Sequence, residues 1–297
     1  MTIAAPICSA PSVPEEPLPG TAATAAGYVC LEVPSGWGRD VLDGTALGTE
    51  LATELSARAD AAGVRIQFIR RPGRDVERPT RTVLIARTEP GNTWCERLEI
   101  TEPAELLDIV PRVVTGPAPL LGAAVTDPIV LVCAHGKRDQ CCAVRGRPIA
   151  AALAQQFGDT VWECSHTGGH RFAPSMILLP TGYTYGRLDA AHSADAVRAA
   201  AAGEVYLPGL RGRSTWAAAG QVAEIAVREL DAAAGIDAAA GIDALTVDEA
   251  ASPIVRHRDG RAWRVDVELH ELPARPASCG AAPKPVRPTV ASKVTAL

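Results

Sequence analysis

Apolar and polar positions alternate along the first 120 residues in short β-type runs, with one longer helical segment between the first two. The β-type runs lie at residues 27–34, 64–73, 81–91 and 93–100. Branched apolar residues and closing Pro-Gly or Gly turns make each run typical of a strand. Residues 42–62 carry Ala and Leu at helical spacing and end before Gly63, a common helix-terminating residue. Together with a second predicted helix at 102–113, the pattern predicts an N-terminal α/β domain over residues 21–120.

A second unit follows the breaker-rich linker 116–128 and covers residues 127–272. It opens with a continuous apolar run at 128–136, of the kind that a buried parallel strand shows. The polar stretch 137–142 is interpreted as a loop, and residues 147–158 as a short helix with Pro148 near its first turn. The remaining elements are strands at 160–165 and within 175–188, helices at 192–203 and 214–235, and a hairpin turning at Asp259-Gly260. The fold class is therefore α/β, with two domains.

Neither end of the chain carries such a pattern. Residues 1–20 are rich in Pro, Glu and Ser, which predicts a flexible leader, and the proline-rich residues 273–297 predict an irregular tail. The repeat AAAGID at 232–243 is interpreted as a helix extension or spacer.

Charge and composition exclude several functional classes. The 297 residues include 29 Lys and Arg against 34 Asp and Glu, so the chain has no overall basic footprint for nucleic acid. No apolar stretch approaches the length of about 18 residues that a membrane span needs, and no signal-peptide pattern opens the chain. We therefore expect a cytoplasmic protein that binds no nucleic acid and has no membrane span.

Cysteine and histidine positions carry the strongest chemical signal. Four of the eight cysteines fall between residues 133 and 164, and two of the six histidines follow directly. The clustered residues are Cys133, Cys141, Cys142, Cys164, His166 and His170. Cys133 ends a predicted strand, Cys142 closes the loop that follows it, and His166 follows another strand. Two loops are therefore expected to converge at the strand ends, where ligands bind in open α/β sheets. Gly168 and Gly169 allow the chain between the histidines to adopt conformations closed to other residues.

Two thiolates and two imidazoles make a four-ligand set that suits either Zn²⁺ or an iron–sulfur centre with two irons. The spacing of His166 and His170 is common in zinc sites. Cys133 and Cys142, however, are farther apart in sequence than the usual zinc knuckle, which has two to four intervening residues. The longer loop favours a [2Fe–2S] cluster, and zinc remains the alternative.

The motif C-x-H-x-x-R-D-x-x-C, formed by Cys133, His135, Arg138, Asp139 and Cys142, is followed by H-T-G-G-H at 166–170. This combination resembles the sucrase/ferredoxin-like family, which includes a fungal actin-patch-distribution protein and is similar to thioredoxin-like [2Fe–2S] ferredoxins. The resemblance implies that the second domain is thioredoxin-like, with a cluster-binding loop region.

The same resemblance implies that Cys133 and Cys142 hold one iron and that His166 and His170 hold the other. Cys141 is the alternative to Cys142, because a cysteine at this neighbouring position departs from the expected pattern. Arg138, Asp139 and His135 are expected to lie around the ligands without binding the metal, although His135 could also be a further ligand.

The expected function is electron transfer without substrate chemistry of the protein's own, with a redox protein or reductase as donor or acceptor. Two thiolates and two neutral imidazoles leave the oxidised centre without net charge, whereas four thiolates would make it negative. The reduction potential should therefore exceed that of all-cysteine plant-type ferredoxins, and reduction could be coupled to protonation at His166 or His170.

Two alternatives stay open: a structural or regulatory zinc protein with the same four ligands, and a thiol redox sensor at the vicinal pair Cys141 and Cys142. We interpret Cys164 as a buried structural thiol or a reserve ligand. The other thiols are interpreted as inert; they are Cys8, Cys30, Cys95 and Cys279.

Overall fold

The computed structural model describes residues 8–9, 16–73, 78–236 and 240–297. The predicted α/β class is confirmed, with helices and β-sheets both well represented. Most of the predicted leader 1–20, and part of the AAAGID repeat, lie outside the described residues. Within the leader, Cys8 and Glu16 are buried against the rest of the chain.

The first half of the chain forms a strand–helix–strand unit followed by three further strands. Its elements are β1 (Gly27–Glu32), α1 (Thr49–Ala62), β2 (Val64–Arg70), β3 (Arg81–Arg87), β4 (Trp94–Ile100), α2 (Leu106–Ile109) and β5 (Ala123–Ala124). Helix α1 ends as predicted at Gly63, which adopts the left-handed conformation with φ of 63°. The helix predicted at 102–113 is instead a single α-helical turn flanked by two 3₁₀ turns, with Pro103 and Pro111 in those turns.

The second half begins with the same succession of elements. It contains β6 (Ile129–Cys133), α3 (Gln140–Phe157), β7 (Val161–Cys164), β8 (Ser175–Leu179), β9 (Tyr183–Gly186), α4 (Ala190–Ala201), β10 (Leu210–Arg213) and α5 (Ala218–Ala233). The C-terminal strands are β11 (Leu245–Asp248), β12 (Ile254–His257), β13 (Ala262–Leu269), β14 (Leu272–Pro276), β15 (Pro283–Val286) and β16 (Thr289–Ala296).

Both halves contribute to one ten-stranded sheet with the order β10-β9-β8-β6-β7-β2-β1-β3-β4-β5. In each half a helix connects two adjacent parallel strands, β1 to β2 and β6 to β7, and an antiparallel pair continues the sheet. The halves meet where β2 pairs with β7 in antiparallel fashion. The predicted boundary between 21–120 and 127–272 therefore separates two halves of a shared sheet; the thioredoxin-like character of the second half stays a prediction.

The C-terminal region differs from the predicted irregular tail. Strand β16 pairs along its length with β13, and β11 pairs with β12, so the predicted β12–β13 hairpin is part of a four-stranded sheet. Strand β14 pairs with β15. Residues 289–296 contain Val and Thr, which favour strands, and no proline, so every residue of this segment can take part in pairing with β13. The prolines of the predicted tail, which suggested an irregular segment, all lie before residue 289 and therefore leave β16 free to pair.

The apolar residues of β6, β7 and β8 pack on both faces of the sheet. One face meets helices α3 and α4, and the other contains a cluster of thiols and aromatic rings around Trp162. In the part of the chain that the structure describes, no helix has both the length and the apolar character to cross a membrane.

Candidate metal centre

Cys133 ends strand β6, beside the end of the parallel strand β7. In the register of the two strands it pairs with Cys164, and both side chains are almost completely buried. The apolar run that precedes Cys133 fixes this position, since every residue of β6 is buried in the sheet. One sulfur is thus placed at the end of the sheet where ligands are expected in such folds.

Cys141 and Cys142 lie in the first turn of α3, not in the predicted polar loop. Asp139 is the N-cap: its Oδ1 accepts a hydrogen bond of 3.1 Å from the Cys141 backbone N–H. The helix therefore starts at Gln140, and Pro148 lies well inside it rather than near its first turn. An Asp directly before a helix is a common helix-start signal, and applied at Asp139 it would have found this boundary despite Gly146 and Pro148.

Helix α3 approaches the end of β6 closely at Gly146. A Cβ at this position would lie 1.9 Å from the carbonyl oxygen of Cys133, far inside any real contact. The absence of a side chain at Gly146 lets the helix pack against the strand end. This contact places Cys142 next to Cys133.

The segment 166–170 contains the predicted glycine turn. Gly168 and Gly169 have φ values of 92° and 67°, which confirms that the chain between the histidines adopts left-handed conformations. The guanidinium of Arg211, which is fully buried, donates to the Gly168 carbonyl at 3.1 Å and to Ser175 Oγ at 2.9 Å. Hydrogen bonds from Arg211 in β10 therefore connect the glycine turn at 168–169 to the sheet.

Three of the four predicted ligands converge closely. The Sγ atoms of Cys133 and Cys142 and a ring nitrogen of His166 all lie within 4.8 Å of one another. The Cys142 sulfur is 4.0 Å from His166 Nδ1. Such a group of two thiols and an imidazole suits a transition metal.

His170, the fourth predicted ligand, lies beside this group. Its ring centroid is 5.1 Å from that of His166. Its Nε2 is 3.5 Å from Asp139 Oδ2, while its Nδ1 is buried and has no hydrogen-bond partner among the described residues. Metal-binding histidines typically have one ring nitrogen beside a carboxylate and the other available to the metal, and His170 has this arrangement.

The thiols of Cys133 and Cys142 share a proton unequally. The Cys142 side chain donates to Cys133, and this hydrogen bond, with a further contribution from His166, holds the pKa of Cys133 well below its ordinary range. The same hydrogen bond raises the pKa of Cys142. Because metals bind thiolates, the pair offers one ready ligand and a second that must release its proton.

His135 uses both ring nitrogens within the protein. Nε2 donates to the Gly38 carbonyl at 2.8 Å, and Nδ1 accepts the backbone N–H of His166 at 3.2 Å. Burial lowers the pKa of His135, which favours the neutral ring that this pattern needs. His135 therefore positions the His166 backbone and has no nitrogen left for a metal.

The two other predicted neighbours have distinct roles. Arg138 forms an ion pair with Asp40 and so connects the metal region to the N-terminal half. Asp139 caps α3 and also faces His170. Burial would raise the pKa of Asp139, but hydrogen bonds from Cys141 and Cys279 lower it to about 2. Its carboxylate is therefore charged at neutral pH.

The remaining thiols divide into two sets. Cys30, Cys95 and Cys164 lie in the apolar core, where burial raises the pKa of each. Cys8 and Cys279, which the sequence suggests are inert, instead lie together with Cys141 and Asp139 in a second group of ligand-type side chains. Their separation along the chain leaves no local motif that could have revealed this group. Cys141 and Cys142 thus belong to different groups.

Comparison with known proteins gives a family-level result. The family model described as sucrase/ferredoxin-like matches residues 18–212, more than half of the chain and all of the segment from Cys133 to His170. No curated protein matches, and no solved structure matches.

Proposed function

The chain belongs to the sucrase/ferredoxin-like family, and on that premise we propose that it is an electron-transfer protein carrying a [2Fe–2S] cluster. Cys133 and Cys142 are the proposed ligands of one iron, and His166 and His170 those of the other. When bound, such a centre accepts and donates single electrons.

The convergence of Cys133, Cys142 and His166 within 4.8 Å is the observation that carries this proposal. Residues on β6, α3 and the segment after β7 meet there although they are up to 33 positions apart in sequence. The buried and unpartnered Nδ1 of His170 supports a fourth ligand, since a buried polar atom without a partner is costly unless it binds something.

Three residues of the chain hold the histidines in place. His135 hydrogen-bonds the backbone of His166, and Arg211 fixes the turn through the Gly168 carbonyl. Asp139 faces Nε2 of His170, which leaves Nδ1 as the nitrogen for a metal. Outer contacts of this kind fix ring orientation and tautomer.

Electron exchange with a partner requires a path to the surface. His166 lines an open cleft of about 430 Å³, together with Asp40, Arg65 and His135. A redox protein or reductase docked over this cleft would reach a proposed iron ligand directly. The cleft supports an electron carrier as the function.

Coupling of reduction to protonation at His166 or His170 remains a prediction. A reduction potential that stays constant from about pH 6 to 10, across the range in which a ligand imidazole would titrate, would exclude it.

Zinc binding by the same residues is a second candidate function, favoured by one specific observation. Cys133, Cys142 and His166 are close enough to one another to surround a single ion. In that case the protein would be structural or regulatory, without electron transfer.

A visible absorption spectrum of the anaerobically purified full-length protein, recorded before and after dithionite, distinguishes the two candidates. Broad charge-transfer bands that bleach on reduction, with two irons and two acid-labile sulfides per chain as in a [2Fe–2S] core, are the expected result. A colourless protein from iron-replete cells, holding zinc that is lost in Cys133→Ala, would favour the zinc candidate instead.

A further inference from the structure

Three cysteines from distant parts of the chain meet on the side of α3 near its N-terminus. Cys8 Sγ lies 3.5 Å from Cys141 Sγ and 3.6 Å from Cys279 Sγ. Asp139 completes the group: its Oδ1 is 3.0 Å from Cys141 Sγ, and its two oxygens are 3.9–4.0 Å from Cys8 Sγ. One ligand atom from each of the four residues lies within 4.8 Å of all the others.

Backbone contacts hold this group together. The Cys279 N–H donates to Asp139 Oδ2 at 2.8 Å, and the Cys8 N–H points at the Cys279 sulfur at 3.4 Å. The Cys8 N–H places positive partial charge beside the Cys279 sulfur, whereas hydrogen bonds to neighbouring groups and burial raise the pKa of all three thiols. A metal bound here would therefore have to displace their protons. Cys8, Cys141 and Asp139 are buried, and Cys279 is partly buried.

The sulfur–sulfur distances are compatible with a tetrahedral zinc ion and are too long for a disulfide. With Zn–S bonds of about 2.3 Å, a tetrahedral zinc ion separates its sulfur ligands by about 3.8 Å, whereas a disulfide would bring two sulfurs to about 2.05 Å. The observed separations of 3.5 and 3.6 Å are close to the first value. Three thiolates also select a soft or borderline metal over Mg²⁺ or Ca²⁺.

The geometry points to a second metal site, in which Cys8, Cys141, Cys279 and a carboxylate oxygen of Asp139 bind one Zn²⁺. On binding, three S–H bonds break, three Zn–S bonds form, and three protons leave to solvent. All four positions are filled by protein, as in structural zinc sites. The ion connects the chain near residue 8 and the segment between β14 and β15 to the first turn of α3.

This site goes beyond the proposed cluster and does not depend on it, since the two ligand sets share no residue. They are neighbours nonetheless: Cys141 precedes the proposed cluster ligand Cys142, and Asp139 contacts both Cys141 and His170. Zinc here would fix the turn of the helix that presents Cys142.

Cobalt titration of metal-stripped full-length protein tests the site, because tetrahedral Co²⁺–thiolate centres have characteristic visible bands. The titration uses Cys133→Ala/Cys142→Ala protein, in which the proposed cluster ligands are absent. We expect one equivalent of Co²⁺, with thiolate-to-metal charge-transfer and tetrahedral d–d bands, displaced by one equivalent of Zn²⁺.

Adding Cys8→Ser and Cys279→Ser to that protein should abolish the bands, whereas adding Cys30→Ser, at a buried thiol outside both groups, should retain them. Cys279→Ala alone, at a partly exposed position, provides a variant that should keep the fold by circular dichroism and still lose tight binding. Bands that survive loss of Cys8 and Cys279, or a folded protein that binds no Co²⁺, would overturn the second site. So would a Cys8–Cys279 disulfide in zinc-replete, anaerobically isolated protein without bound zinc.

Discussion

Gly146 lies against the carbonyl oxygen of Cys133, so closely that a Cβ at residue 146 would stand 1.9 Å from that oxygen. The relationship sets the separation between α3 and β6, and therefore between the sulfurs of Cys142 and Cys133. A glycine that looks like an ordinary helix residue thus determines whether two proposed ligands meet.

Gly146→Ala should therefore move the helix away from the strand. We expect the variant to lose iron and to unfold more easily, by about 1–3 kcal/mol as in other overpacked sites. Iron content and chemical denaturation measure the two effects. Gly241→Ala is the control, because its added methyl would make only ordinary contacts, with Ala244 Cβ at 3.5 Å and Ala244 N at 4.0 Å. Full iron retention in Gly146→Ala would show that the contact does not set the ligand geometry.

The ligand assignment makes a prediction about three neighbouring cysteines. Cys133→Ser and Cys142→Ser should each abolish the visible bands of the cluster, because each removes a thiolate from one iron. Cys141→Ser should leave the bands, since Cys141 belongs with Cys8 and Cys279. Bands that persist in Cys142→Ser and vanish in Cys141→Ser would reverse the choice between the two.

His170→Cys should keep a cluster and lower its reduction potential. A thiolate in place of a neutral imidazole adds negative charge to the centre and disfavours the incoming electron. Spectroelectrochemical titration against the wild-type protein measures the change. An unchanged potential in a variant with full iron content would show that His170 is not a ligand.

Besides its place in the proposed zinc site, Asp139 caps α3 and faces His170, and a pair of variants can separate these two further roles. Ser caps helices about as well as Asp, so Asp139→Ser should keep the start of α3, whereas Asp139→Ala should lose about 1 kcal/mol of stability in addition. Both remove the carboxylate facing His170, and loss of such a contact weakens metal binding by about 10–100-fold. Denaturation curves measure the contribution of the cap to stability. The rate of iron release to a chelator measures the effect of losing the carboxylate that faces His170. Normal iron retention in both variants would contradict the positioning role.

A stability prediction concerns the buried ion pair between Glu224 and Arg228 in α5, whose side chains are each 1% exposed. Glu224 also accepts a hydrogen bond from Tyr183. Glu224→Ala removes both the ion pair with Arg228 and the hydrogen bond from Tyr183 at a buried site, so it should cost about 3–5 kcal/mol.

The exposed pair of Asp195 and Arg198 in α4 is the control for that measurement. Its side chains are 50% and 57% exposed, and Asp195→Ala should change the free energy of unfolding by about 0–1 kcal/mol. If urea denaturation showed similar losses of stability for the two substitutions, burial would not determine how much an ion pair contributes in this protein.

The sequence by itself determined the α/β class, most strands, and the segment that holds the candidate site. Strands such as β6 are recognisable because a buried strand is a continuous apolar run, and the glycine turn 168–169 because few other residues adopt left-handed conformations. The motif from Cys133 to His170 led to the family, because its spacing is local information.

Only the tertiary structure decided which distant residues meet. The pairing of β2 with β7 joins the two halves of the ten-stranded sheet. The pairing of β16 with β13 makes a strand of the predicted irregular tail. Each pairing is made with a strand that is not adjacent in the sequence. Cys8 and Cys279 reach Cys141 for the same reason. A pattern along the sequence records local periodicity, whereas contacts between distant segments depend on how packed elements share a common surface.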